Sequence, residues 1–295
     1  MKITAAVIRQ VAALAGVAAR PTKGATIAAI DEYVEMVARL PVGPVVGVDI
    51  GIKNFSWCVL APQTPITPAS VFDWGTADLL TTPYEAKAGP SHPLDTQRQL
   101  IASINQRTAS WARHQPQLVV VETQRPASNT NQRTLPAVLA NIRVESWVSQ
   151  ACYPTIVVPM TSAQMASFWL HRFFCRTSLP KTSKPLRVGL CQQILAVSKQ
   201  DIRAQANIDA HNKIDDAVDS FLYATAGVEQ LAFCRHLAAL DGVAAASAHQ
   251  PQALSSLVTQ FHHRHFRWAQ PLLELPGLRS PLAVTPLAAS LAQSG

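Results

Sequence analysis

The sequence predicts an α/β fold: a mixed five-stranded sheet flanked by helices and preceded by a small N-terminal helical hairpin. Three observations carry that prediction. Helical periodicity fills residues 1–41, the pattern changes to short strand-like runs from Val45, and strand-like and helix-like segments then alternate to about residue 228. A hydrophobic content of 48% in 295 residues is enough for a substantial buried core. No apolar run reaches the roughly 18 residues that cross a bilayer, so no membrane partner is expected.

Within residues 1–41, Val7, Val11 and Leu14 share one helical stripe, which Gly16 and Pro21-Thr22-Lys23-Gly24 interrupt. Ile27, Ile30, Val34 and Val37 resume it until Pro41. This reads as a hairpin of two short helices that buries its own stripe. A mitochondrial presequence is the competing reading, because no acid precedes Asp31 and Arg9 and Arg20 are spaced in an alanine-rich stretch. The second stripe extends past a usual targeting segment and favours the folded hairpin.

A core domain is expected over 45–235. Strands at 45–50, 55–61 and 70–74 have short links and form an antiparallel meander. A helix over 94–113 leads to a strand at 118–122, and a helix over 135–151 leads to a strand at 155–158. Further helices are expected at 162–173, 186–198 and 213–228. Residues 236–295 are poor in charge, rich in Ala, Leu and Pro, and read as an extension compatible with helix. Its cluster Phe261-His262-His263-Arg264-His265-Phe266-Arg267-Trp268 reads as a basic surface strand or helix in preference to a metal site.

The formal charge is +7 and the isoelectric point about 9.4, with the excess concentrated. From Thr123 to Arg187 lie Arg125, Arg133, Arg143, Arg172, Arg176, Lys181, Lys184 and Arg187 against one acid, Glu145. Such a run fits a surface for a polyanion. The five cysteines are odd in number and lack CxxC spacing, which supports neither a disulfide framework nor a zinc site and fits a reducing compartment.

The chemistry lies in misplaced acids. Asp49 interrupts the apolar run Val45-Val46-Gly47-Val48-Asp49-Ile50, and Glu122 closes Leu118-Val119-Val120-Val121. Asp215, Asp216 and Asp219 sit in an apolar helical segment, where 216 and 219 or 215 and 219 share a face. A carboxylate in such company is costly unless cations or hydrogen bonds compensate it. Adjacent first and fourth strands with the last helix across them would gather all these groups into a site for Mg²⁺, or Mn²⁺ in its place, since hard oxygen donors select those ions over zinc. Two such ions about 4 Å apart activate water and stabilise a leaving 3′ oxygen in phosphodiester hydrolysis. Lys53, just past the turn after Asp49, is placed to contact the scissile phosphate or to orient the water; alone it would read as a solvated turn lysine.

Three blocks then resemble a family. Val45 to Cys58, VVGVDIGIKNFSWC, is similar to the opening motif of the fungal mitochondrial Holliday-junction resolvases, RuvC-like members of the RNase H-like superfamily. Val119-Val120-Val121-Glu122-Thr123-Gln124-Arg125, followed by Asn141-Ile142-Arg143-Val144-Glu145, is similar to the second block of that family. Lys213-Ile214-Asp215-Asp216-Ala217-Val218-Asp219-Ser220 resembles its terminal helix. The resemblance implies an RNase H-like fold, a homodimer, and paired Mg²⁺-dependent nicks across four-way junction DNA in the mitochondrial matrix, with the nucleus as the alternative location. It implies that Asp49, Glu122, Asp215, Asp216 and Asp219 are catalytic and metal-binding, without deciding which two of the last three bind metal. With it go Lys53 at the reaction and Lys53, Gln124, Arg125, Arg133, Arg143, Lys181 and Lys184 on DNA. The hairpin loosely resembles a SAP-type DNA-binding module.

Two rival readings are of other classes. A catalytically silent nucleic-acid-binding scaffold of the same fold has no need of the intact acids. A sugar kinase or ATPase of the actin-like fold needs a second glycine-rich phosphate loop near Asp215, which is missing, so no nucleotide cofactor is expected.

Overall fold

A computed structural model describes residues 3–63, 65–80, 94–123, 135–175, 184–208, 213–274 and 284–293. In chain order the elements are α1 (Ala5–Ala15), α2 (Lys23–Ala38), β1 (Val45–Asp49), β2 (Phe55–Leu60), β3 (Val71–Ala77), α3 (Asp95–Ala112), β4 (Leu118–Glu122), α4 (Leu135–Ala151), β5 (Ile156–Met160), α5 (Ser162–Ala166), α6 (Lys184–Leu195), α7 (Lys199–Gln205), α8 (Asp215–Ala238), α9 (Gly242–His249), α10 (Pro251–Ala269) and α11 (Pro286–Gln293). Contacts divide the chain into two compact units. One comprises Val42–Met165 and Arg187–Gly227, the other Met1–Pro41, Ala166–Leu186 and Val228–Gly295.

The first unit holds the expected mixed sheet, in the order β3-β2-β1-β4-β5. β3, β2 and β1 are antiparallel neighbours, as their short links require, and β1, β4 and β5 run parallel. The parallel strands follow from the intervening helices α3 and α4, since a crossover is needed to return the chain in the same direction. Alternation along the strands decides the faces. Val46, Val48, Val119 and Val121 pack into one core with Phe55, Trp57, Leu100, Ile104, Trp111, Val144 and Val148. The intervening positions, Val45, Gly47, Leu118 and Val120, face α8 instead: a Cβ on Gly47 would overlap the backbone of Ser220 and Ala224, and one on Gly227 would come within 2.8 Å of Val45 and Val120 side-chain carbons. Glycine at 47 lets strand and helix backbones touch. Trp74 of β3 fixes the start of the same helix by donating its indole N–H to the Ala217 carbonyl at 2.9 Å and packing on Phe221.

The second unit contains the N-terminal helical pair. Thr4 and Thr22 cap α1 and α2 by accepting from Val7 N and Ala25 N at 3.3 and 3.2 Å, and Gly16 ends α1 in the left-handed conformation at φ 77°. The pair packs on α9 and α10 as well as on itself, so it is not a free-standing appendage. The Asp31 carboxylate accepts from Val243 N and Ala244 N, 2.6 and 3.1 Å away, at the start of α9. The described residues of the C-terminal extension are mostly helical, in the end of α8 and in α9, α10 and α11.

Four expectations need correction here. α8 runs ten residues past 228, because Glu229 and Gln230, which look like a polar boundary, are buried. The stretch expected as one helix from 186 to 198 ends at Leu195, and α7 follows it separately. His262 and His265 are not on a basic surface: both are buried on α10, where His265 Nε2 meets Glu229 Oε2 at 2.9 Å and Arg172 Nη2 meets His265 Nδ1 at 2.8 Å. Arg172, assigned above to a polyanion surface, is therefore part of an interior network.

Candidate metal-dependent nuclease site

Asp49 stands one step beyond the Val48–Val121 pair of the parallel β1–β4 ladder, and Glu122 one step beyond Val121. Two-residue alternation from Val45 and Gly47, and from Leu118 and Val120, turns both acids to the α8 face. The two carboxyl groups share a hydrogen bond. Burial, the largest influence, raises the Asp49 pKa well above the ordinary carboxylate range; the Glu122 hydrogen bond and the charges of Glu122, Asp219 and Asp216 push in the same direction. Across from them on the first turns of α8, Asp219 is only 9% exposed. Burial pushes its pKa up to about 7, against the pull of Arg187; Asp216 and Glu122 add to the rise.

Of the three helix aspartates, then, Asp216 and Asp219 are the two whose charges reach Asp49. This is the i, i+3 choice. Asp215 lies half-buried beside them on the first turn. Arg187 of α6 donates from Nη1 to Asp219 Oδ2, leaving Asp219 Oδ1 buried and without a hydrogen-bond partner. Next to this group a cleft of about 410 Å³ is lined by Lys53, Asn54, Thr76, Ala77, Asp78, Lys213 and Asp216. Lys53 and Lys213 are exposed, so their ammonium groups are hydrated and available at the cleft.

Among the described residues, no three acids, histidines or cysteines close round one point as a finished cage. The acids are instead engaged as an Asp49–Glu122 pair and an Asp219–Arg187 pair. Their donors nevertheless suit a divalent cation: all are carboxylate oxygens, they repel one another when ionised, and Asp219 Oδ1 is a buried acceptor with nothing to accept from. Asp49, Glu122, Asp216 and Asp219 are the side chains that would hold such an ion.

Residues 45–224 match the family model described as Mitochondrial resolvase Ydc2 / RNA splicing MRS1, over more than half of the chain. The chain belongs to this family. The matched span runs from the start of β1 into α8 and so contains Asp49, Glu122, Asp215, Asp216 and Asp219 of this Ydc2/MRS1-family chain. No curated protein matches the chain. Among solved structures, the yeast mitochondrial Holliday junction resolvase Ydc2 is 18% identical, with 79% of this chain and 96% of that one covered and a TM-score of 0.48. Thermus thermophilus RuvC in complex with a Holliday junction substrate is 17% identical, with 63% and 94% covered and a TM-score of 0.38.

Of the residues expected on DNA, Arg143 is exposed on α4 and Lys184 is exposed at the start of α6. Gln124, Arg125, Arg133 and Lys181 lie outside the described residues. Sequence reasoning missed two participants. Arg187 was counted with the polyanion surface, yet it points into the acids; no local pattern marks it, because its partner is on another helix. Lys213 was legible as the first residue of the third block, and its place in the same cleft as Lys53 required the fold.

Proposed function

We infer that this chain is a structure-selective endonuclease that resolves four-way DNA junctions by paired, symmetric, metal-dependent phosphodiester hydrolysis. The observation that carries the reading is the convergence of Asp49, Glu122, Asp216 and Asp219 from two adjacent strands and one helix. Mg²⁺ or Mn²⁺ bound by these carboxylates would activate the attacking water and stabilise the leaving 3′ oxygen. The protein's own share is to bring mutually repelling acids together, to keep apolar strand surface around them, and to flank them with cations. Lys53 and Lys213, on the wall of the cleft that Asp216 also lines, are suited to holding the phosphate there. Arg143 and Lys184, both exposed, would take phosphates of the junction arms.

A junction offers two equivalent scissile phosphates, so a two-fold homodimer is the geometric solution. Leu135 and Leu139, exposed on α4, supply apolar surface for a second copy. The family description favours the mitochondrion as the working compartment. The loose SAP-like character of residues 1–41 makes the helical pair a further candidate for DNA contact.

The test is cleavage of a four-way junction and of linear duplex of the same sequence. Asp49→Asn, Glu122→Gln and Asp219→Asn should each abolish cutting while junction binding persists, because each removes a metal ligand and none removes a phosphate contact. Binding should survive in Ca²⁺, and cutting should not, since the larger ion holds a looser coordination shell. Wild-type rates in these variants would refute the assignment of the acids, whereas uncut junctions under every metal condition with binding intact would leave the silent-scaffold reading in possession. Arg143→Glu and Lys184→Glu should flatten the salt dependence of binding, each lost phosphate contact removing about 0.9 from the log-log slope.

A further inference from the structure

Beyond the four acids, a cation also engages the site. Arg187 is mostly buried, and so is its partner: the side chains of Arg187 and Asp219 are each 13% exposed. The pairing is one-sided. Arg187 Nη1 takes Asp219 Oδ2, whereas Asp219 Oδ1 is buried and accepts from nothing. A carboxylate pinned by one oxygen with the other left bare is oriented as a monodentate ligand.

We propose that Arg187 is a positioning residue of the metal site, holding Asp219 by Oδ2 so that Oδ1 is presented to a divalent cation. This rests on the reading of the acids as a metal site. Outer partners of ligating carboxylates fix the ligand's direction, and their loss generally lowers metal affinity about 10–100-fold. A fork-shaped, permanently charged guanidinium suits that work better than an ammonium, which offers point donors on a mobile stem. A simple opposing effect exists: a guanidinium beside a divalent ion repels it, and removing the arginine would then tighten binding. The two effects have opposite signs, so the direction of the change separates them.

The measurement is Mn²⁺ binding to the full chain, followed by electron paramagnetic resonance of the free ion, with thermal melting as the check on folding. Arg187→Met keeps the stem and removes every donor; its Mn²⁺ dissociation constant should rise about 10–100-fold. Arg187→Lys should fall between wild type and Arg187→Met. Unchanged or tighter Mn²⁺ binding by a well-folded Arg187→Met protein would overturn the proposal. Should that variant melt early, wild-type affinity in Arg187→Lys would overturn it as well. Asp49→Asn and Asp219→Asn run beside them. If both bind Mn²⁺ as wild type does, the acidic site itself fails and this role fails with it; if both lose Mn²⁺ and the arginine variants keep it, the site stands and only Arg187's role is wrong.

Discussion

Burial acts on two sets of titratable residues with opposite consequences for stability. Asp219 rises from 3.8 to about 7 in the folded chain, and Asp49 rises too. For these acids the folded state holds its protons longer than the unfolded one, so their contribution is complete below about pH 4 and is lost as pH climbs through about 7. The Asp219 shift alone corresponds to roughly 4 kcal/mol. His262 and His265 go the other way, held down to about 3 and 4, chiefly by burial. Their contribution is present above about pH 6.5 and is lost as pH falls toward those values. The two sets oppose each other between about pH 4 and 6.5, so metal-free protein should lose melting temperature below about pH 4, where only the histidines still titrate, and above about pH 6.5, where only the acids do. Saturating Mg²⁺ should abolish the alkaline decline and leave the acid one. Asp219→Asn should remove part of the alkaline decline in the absence of metal; a pH-independent melt from 3 to 8 would contradict both assignments.

Elements decide how those residues meet. Gly47 allows β1 and α8 to touch through their backbones, and neither backbone can yield as a side chain would. Gly47→Ala should cost about 3 kcal/mol or more by forced overpacking. It should also abolish cleavage in whatever fraction stays folded, because the displaced helix carries Asp216 and Asp219 away from Asp49. Circular dichroism melting and junction cutting on the same sample check this. The strands, and the helices α3 and α4, were legible because each is a short apolar or periodic segment bounded by turn residues. α8 was legible only at its start. It is buried on nearly every side from Ala217 to Val228, so its sequence lacks the polar face that marks a surface helix, and buried Glu229 resembles an end. The acids were legible as misfits in apolar company; the 216/219 choice, Arg187 and the buried histidines were not, since each depends on partners brought in from distant segments.

At the scale of the molecule, the helical pair and the C-terminal helices share one compact unit, with Asp31 bonded to the first amides of α9. Deleting residues 1–41 should consequently lower the melting temperature and expose apolar surface on α9 and α10, detectable by dye binding and light scattering. Asp31→Ala, which keeps the hairpin, should cost only about 1 kcal/mol. A soluble truncated chain that melts like the parent would show that those helices do not need the pair. The strand alternation that turns Asp49 and Glu122 to the α8 face has one more effect. A slip of one residue in either strand would send its acid to the opposite side of the sheet, among Val46, Val48, Val119 and Val121. On the proposed function, no chain caught in the wrong register would cut DNA, so hydrolytic competence would arrive only with the finished fold, and specific activity would count the correctly assembled molecules in a preparation.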